Sequence, residues 1–156
     1  MPDYSHLLNQ ETSEANETQF ELCPEGEFLA TLDTFELSSA EWTDKKTGQP
    51  RSAPTFKGVW HILDESVKAS LGMDPVRVQQ DLFLDVDEAT GQLALGKNKN
   101  IQLGRLRDAF GLNQPGRPFS LGMLKNAPPA LVRVSHSIDK KGITRANVTA
   151  VARATN

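Results

Sequence analysis

Cysteine is nearly absent from this chain. Among 156 residues only Cys23 carries a thiol, which excludes an intrachain disulfide framework and a cysteine-based zinc site. The three histidines, His6, His61 and His136, are distant in sequence and show no i, i+4 pairing, so a histidine metal site has no starting point. No apolar run approaches the roughly 20 residues of a bilayer span, and Met1–Gln10 lacks both the basic start and the apolar stretch of a signal peptide. No Gly-x-Ser-x-Gly elbow is present, and Cys23 beside Pro24 is poorly placed for a nucleophile. The expectation is a soluble cytoplasmic protein (in the host cytoplasm if viral), of one domain, non-enzymatic, with no cofactor and no membrane contact.

What is present is unevenly distributed. Residues 1–22 are polar and acidic, with Asp3, Glu11, Glu14, Glu17 and Glu21 and no Lys or Arg. Such a segment has little to bury and reads as a flexible arm, with residues 23–156 as the folded body. Outside the arm, 17 basic residues face 15 acidic ones, so the overall formal charge of -3 hides a body of about +2. An acidic total therefore does not forbid a polyanionic partner, because affinity follows the local field.

Period-two alternation predicts five strands. The first covers Phe28 to Leu37, with Phe28, Ala30 and Leu32 on one face and Leu29, Thr31, Asp33 and Phe35 on the other. Trp42 to Pro54, rich in Lys, Thr, Gly and Pro, reads as a loop. The second strand, Thr55 to Leu63, sets Phe56, Gly58, Trp60 and Ile62 against Lys57, Val59, His61 and Leu63. A connector follows, with a helical turn at Glu65–Leu71. The third strand, Val76 to Val86, sets Val78, Gln80, Leu82 and Leu84 against Arg77, Gln79, Asp81, Phe83 and Asp85. A helix capped by Asn98 or Asn100 buries Leu103, Leu106, Ala109 and Phe110 and stops at Gly111. Strands four (Leu131 to Ile138) and five (Thr144 to Ala152) flank the turn Asp139-Lys140-Lys141-Gly142. Mainly β, with five short strands and one helix between the third and fourth, is the order of the OB-fold, a small Greek-key barrel. A small sandwich with the helix as a lid is the alternative.

Three near-motifs fail on chemistry. Gly91–Asn98 fits G-x-x-x-x-G-K, but Asn98 stands where a hydroxyl must hold magnesium, and no βαβ alternation follows. Asp85-Val-Asp87-Glu88 begins like a calcium loop, yet Ala89 and Gly96 occupy liganding positions. Ile101–Asn113 resembles the first half of a helix-turn-helix, but Pro115-Gly116-Arg117-Pro118 forbids the recognition helix.

The remaining pattern is basic and aromatic residues where an OB barrel meets a single strand. Such proteins follow phosphates with Lys and Arg and stack bases on aromatic rings. Between strands one and two lie Trp42, Lys45, Lys46 and Arg51; between strands four and five lie Lys140 and Lys141. Lys57 and Phe83 fall on the outer faces of strands two and three, and Arg133 and Arg145 lie opposite the apolar sides of theirs. The expectation is a basic groove across strands two and three, bordered by both lysine-bearing loops.

Val78-Gln-Gln-Asp-Leu-Phe-Leu-Asp85, Gly96-Lys-Asn-Lys-Asn-Ile-Gln-Leu-Gly-Arg-Leu-Arg107, Ala109-Phe-Gly-Leu-Asn113 and Pro115-Gly-Arg-Pro-Phe119 also carry a family likeness. With Pro24-Glu-Gly-Glu27-Phe28 and the closing hairpin, they resemble a family of small bacteriophage single-stranded-DNA-binding proteins, over about residues 24–154. The resemblance implies an OB-type fold, no enzymatic activity, and single-stranded DNA as partner during phage replication or recombination. It supplies no contact residues. In such a protein the acidic arm would meet replication or recombination proteins, and self-association into a homo-oligomer is left open. A non-enzymatic protein-interaction or structural module is the other reading, marked by an apolar outer patch in place of a basic groove.

Overall fold

The computed structural model describes residues 2–18 and 20–154. Met1 and Gln19 of the expected arm, and Thr155 and Asn156 of the expected body, lie outside the described residues. Five strands close into a barrel: β1 (Gly26–Thr43), β2 (Pro50–Ile62), β3 (Val76–Phe83), β4 (Ala130–Ile138) and β5 (Thr144–Arg153), in the ring order β1-β2-β3-β5-β4. All neighbours are antiparallel except β3 and β5, which run parallel and meet at Gln79↔Asn147. This is the five-stranded OB-like Greek-key barrel that the strand order implies. Closure of the ring excludes the open sandwich and leaves few free sheet edges.

Helix α1 (Glu65–Leu71) joins β2 to β3, and α2 (Ile101–Ala109) joins β3 to β4. The Asp64 carboxylate caps α1 by accepting from Ser66 N (2.9 Å) and Val67 N (3.1 Å), and the bond from the Ser66 hydroxyl, followed by the Val67 one, holds it below the usual carboxylate range. Leu103, Leu106 and Ala109 of α2 are buried and, with Phe110, belong to the barrel core. Arg153 Nε donates to Asp108 O at 3.1 Å, tying the end of β5 to the end of α2. In the expected arm, Ser5–Asn9 forms a 3-10 turn with no buried residue.

The barrel interior is built by the alternation that the sequence displays. Trp60, Phe56, Ile62, Val76, Val78, Val132 and Val134 are fully buried, each stabilising by roughly 1.5–3 kcal/mol on area grounds. The Trp60 indole stacks on Phe110, 5.9 Å between centroids, and its Nε1 donates to Gln80 Oε1 at 2.9 Å. Gly58 is fixed by packing: a Cβ there would come within 3.0 Å of Leu32 Cδ1 and Phe56 Cε1.

Three readings of the sequence need correction. Trp42 and Thr43 are strand, as are Pro50–Pro54, so the expected loop shrinks to residues 44–49 at the tip of a two-stranded ribbon. Pro50 opens its strand, and Pro54 uses its carbonyl, which accepts from Leu84 N at 3.0 Å; neither proline's missing N–H interrupts the ribbon. The register shift between Leu32 and Thr34 inserts Asp33 as an extra residue and reverses the alternation beyond it. Phe35 thereby joins the core side and stacks on Phe56, 5.2 Å between centroids. Finally, β3 stops at Phe83 and not at Val86, which makes only an isolated bridge to Leu93.

Candidate nucleic-acid interface

Cross-strand partners share a sheet face, so register builds the outer surface of β1, β2 and β3 row by row. Trp42 lies beside Arg51 and Ala40 beside Ala53; Ser38, Thr55 and Phe83 form the third row; Glu36, Lys57 and Asp81 the fourth; Thr34, Val59 and Gln79 the fifth; and His61 lies beside Arg77. β3 alternates buried and exposed without interruption, which leaves Phe83 66% exposed on this face. Trp42 is 47% exposed and meets Phe83 edge to face, with centroids 6.3 Å apart and planes at 77°. Two aromatic rings from different strands thus stand together in solvent, an arrangement worth about 0.5–1.5 kcal/mol beyond its area. Beneath them Thr55 is buried, and its Oγ1 has no hydrogen-bond partner.

The cations are not all free. Arg51 pairs with Asp44 at 3.2 Å, and Asp44 Oδ1 also accepts from Lys46 N at 2.8 Å, shaping the ribbon tip. Lys45 and Lys46 are exposed there and make no ion pair among the described residues. Lys57 sits between Glu36 and Asp81 across the strands, and Asp81 is held by Gln79 Nε2 at 2.8 Å. His61 Nε2 lies 3.4 Å from Asp33.

The two lysine-bearing turns border this face from opposite ends, not side by side. β2 begins at Pro50 and pairs Thr55 with Phe83, so the ribbon tip lies beyond the C-terminal end of β3. β5 begins at Thr144 and runs parallel to β3 with Gln79↔Asn147, so Lys140 and Lys141 lie at the N-terminal end of β3, near Arg77. Arg77 to Phe83 spans about 20 Å at the strand rise. Between the turns, carboxylates alternate with cations. The uniformly basic groove expected from the sequence is therefore replaced by an aromatic pair with mixed charge around it.

Arg145 is occupied: its Nε donates to Asp139 Oδ2 at 3.1 Å. The same carboxylate accepts from Ile143 N (2.9 Å) and Lys141 N (2.9 Å), and the Ile143 bond most strongly holds it below the usual carboxylate range. Arg133 does not belong to this surface. It binds Glu27 at 2.7 Å on the β1–β4–β5 side, where Glu27↔Arg133 is a cross-strand pair.

Arg77 is not among the residues that the sequence singles out, although the alternation that exposes Phe83 places it on the same face. Arg77 and Arg145 together line a cleft of about 400 Å³ with Val59, Met73 and Gln79, closed on one side by Phe20–Cys23. That segment is anchored by His136, whose Nε2 donates to Cys23 O at 2.7 Å and whose backbone N donates to Glu25 Oε2 at 3.0 Å.

Among the described residues no three of His, Cys, Asp and Glu are grouped to hold a metal ion, and no helix is long and apolar enough to cross a membrane. Comparison with protein-family models finds no matching family, and comparison with curated proteins finds no match.

Proposed function

We propose that this chain is a sequence-tolerant single-stranded-DNA-binding protein, of the phage replication and recombination kind, and that the outer face of β1–β3 receives the strand. The observation that carries the reading is the exposed Trp42–Phe83 pair on the sheet face. Each stacked base contributes about 1–3 kcal/mol, and every base offers a π-face, so recognition is tolerant of sequence. Lys57 and Arg77 on the same face, with the lysines of the two turns at its ends, supply phosphate contacts. Partial neutralisation of Lys57 by its neighbours Glu36 and Asp81 favours modest affinity, dominated by stacking.

The interleaved carboxylates also favour a second reading, in which the face binds a protein segment. A gel shift comparing single-stranded with duplex DNA at low and high salt separates the two. A strand binder prefers single-stranded DNA and weakens as salt rises, because counterions are released on binding. Absence of any shift at low salt rejects DNA binding and leaves the protein-module reading.

A further inference from the structure

Formal charge is divided sharply along the chain. Residues 24–88, which form β1 to β3 and α1, hold 13 acidic and 6 basic residues. Residues 89–130 hold Lys97, Lys99, Arg105, Arg107, Arg117 and Lys125 against the single acid Asp108. Four of these cations, Lys97, Lys99, Arg105 and Arg107, fall within residues 97–109 against Asp108 alone, at the end of the β3–α2 connector and in α2, outside the β1–β3 face.

Part of this charge converges in space. Lys99, Arg105 and Arg107 line one open cleft of about 370 Å³ between the connector and α2, with Leu93 and Leu103 among its apolar walls. Arg107 is already engaged within the fold, since its Nε donates to Leu112 O at 3.2 Å and its guanidinium lies 4.1 Å over the Phe119 ring. Lys99 and Arg105 are not engaged in this way. Both are exposed, and among the described residues neither makes an ion pair or a side-chain hydrogen bond.

The cleft is also held in a defined place. Asn100, on its wall, is hydrogen-bonded to Asp85, two residues beyond Phe83. It therefore begins at the end of β3 where the aromatic pair stands, the same end that carries the ribbon tip.

We infer that this cleft is a second phosphate-binding segment, in which Lys99 and Arg105 grip the phosphodiester backbone of a single strand as it leaves the Trp42–Phe83 pair. The inference rests on the strand-binding reading of the β1–β3 face and adds a direction to it: the strand turns toward α2, not toward the Arg133 side of the barrel. A site of this kind lengthens the footprint within the range of about 4–16 nucleotides per OB barrel.

The test is the double variant Lys99→Ala/Arg105→Ala, titrated with oligothymidylates of about 5 and about 15 nucleotides across a salt series. Its melting temperature, compared with the wild type, verifies folding. The wild type should gain affinity with length, and the variant should lose most of that gain while binding the short oligomer as before. On the long oligomer its log–log salt slope should fall by about 1.4, from two lost phosphate contacts at about 0.7 each. Equal affinities and slopes for both proteins on the long oligomer overturn the cleft alone. An equal loss on both lengths overturns its placement beyond the aromatic pair. If the wild type binds neither oligomer, the strand-binding reading falls, and the cleft with it. Arg133→Ala, on the other side of the barrel, should bind both lengths like the wild type; a length-dependent loss there would redirect the path and overturn the proposal.

Discussion

Asp85 and Asn100, fifteen positions apart, hold each other by hydrogen bonds that run both ways. Asp85 N donates to Asn100 Oδ1 (2.7 Å), Asn100 N donates to Asp85 Oδ2 (2.8 Å), and Asn100 Nδ2 donates to Asp85 O (2.8 Å) and Ala94 O (3.0 Å). The clasp closes the loop that contains Gly91–Asn98 and fixes where α2 starts. It also gives Asp85 a role that its place in an imperfect calcium motif does not suggest. Asn suits the position twice, because φ is +50° and the amide both donates and accepts.

Asn100→Ala should therefore cost about 2 kcal/mol, from several hydrogen bonds lost at a partly exposed site and from a left-handed backbone that Ala disfavours. Urea denaturation reads this as a lower midpoint at an unchanged slope. Hydrogen exchange should show the loss of protection concentrated in residues 86–100. Unaltered stability and protection would mean that the clasp holds nothing.

A buried polar pair makes the second prediction. Gln80 faces the core, and its Oε1 is the acceptor for the Trp60 indole N–H. Gln80→Leu leaves that N–H buried without a partner, which costs about 1–3 kcal/mol, less whatever the added apolar surface returns. Thermal unfolding measures the loss, and Trp60 emission should move with it while the outer face of β1–β3 is untouched. A variant as stable as the wild type would show that the hydrogen bond contributes nothing net.

Cys23 supplies the third. Burial, reinforced by the nearby Asp64 carboxylate, pushes its thiol from the ordinary 9.0 up to about 11. The native protein should react slowly with a thiol reagent at pH 8 and quickly once unfolded. The unfolded chain gives up this proton near pH 9 while the folded one keeps it. Stability from this group is thus intact below pH 9 and is lost as pH rises through 11. Cys23→Ala should remove that part of the alkaline decline; rapid labelling of the native protein at pH 8 would contradict the burial.

Local pattern made much of this molecule legible. The run Val76–Phe83 alternates so cleanly that both its burial and the exposure of Phe83 follow from periodicity, and the spacing of Leu103, Leu106 and Ala109 marks α2. The ribbon was hidden because residues 42–54 have the composition of a loop; only pairing between two polar strands makes them β structure. Asp33 was hidden for another reason, since one extra residue reverses every face assignment after it. Gln80 looked like an ordinary member of an apolar face because its partner, Trp60, comes from another strand. The pairing of Arg133 with Glu27 joins residues 106 positions apart, and no local rule could remove Arg133 from the candidate surface. Composition placed lysines in both turns correctly, but the distance between the turns is a property of the closed ring.

The central claim is that the exposed Trp42–Phe83 pair stacks on nucleic-acid bases, and its most direct test is a fluorescence titration with an oligothymidylate. Trp42 is solvent-exposed and Trp60 is fully buried, so quenching on binding reports Trp42. The account predicts strong quenching for the wild type at low salt. For Phe83→Ala it predicts a loss of affinity of roughly fivefold to 150-fold, the equivalent of one stacked base at about 1–3 kcal/mol. Binding without quenching, or a Phe83→Ala protein that binds as tightly as the wild type, would contradict it.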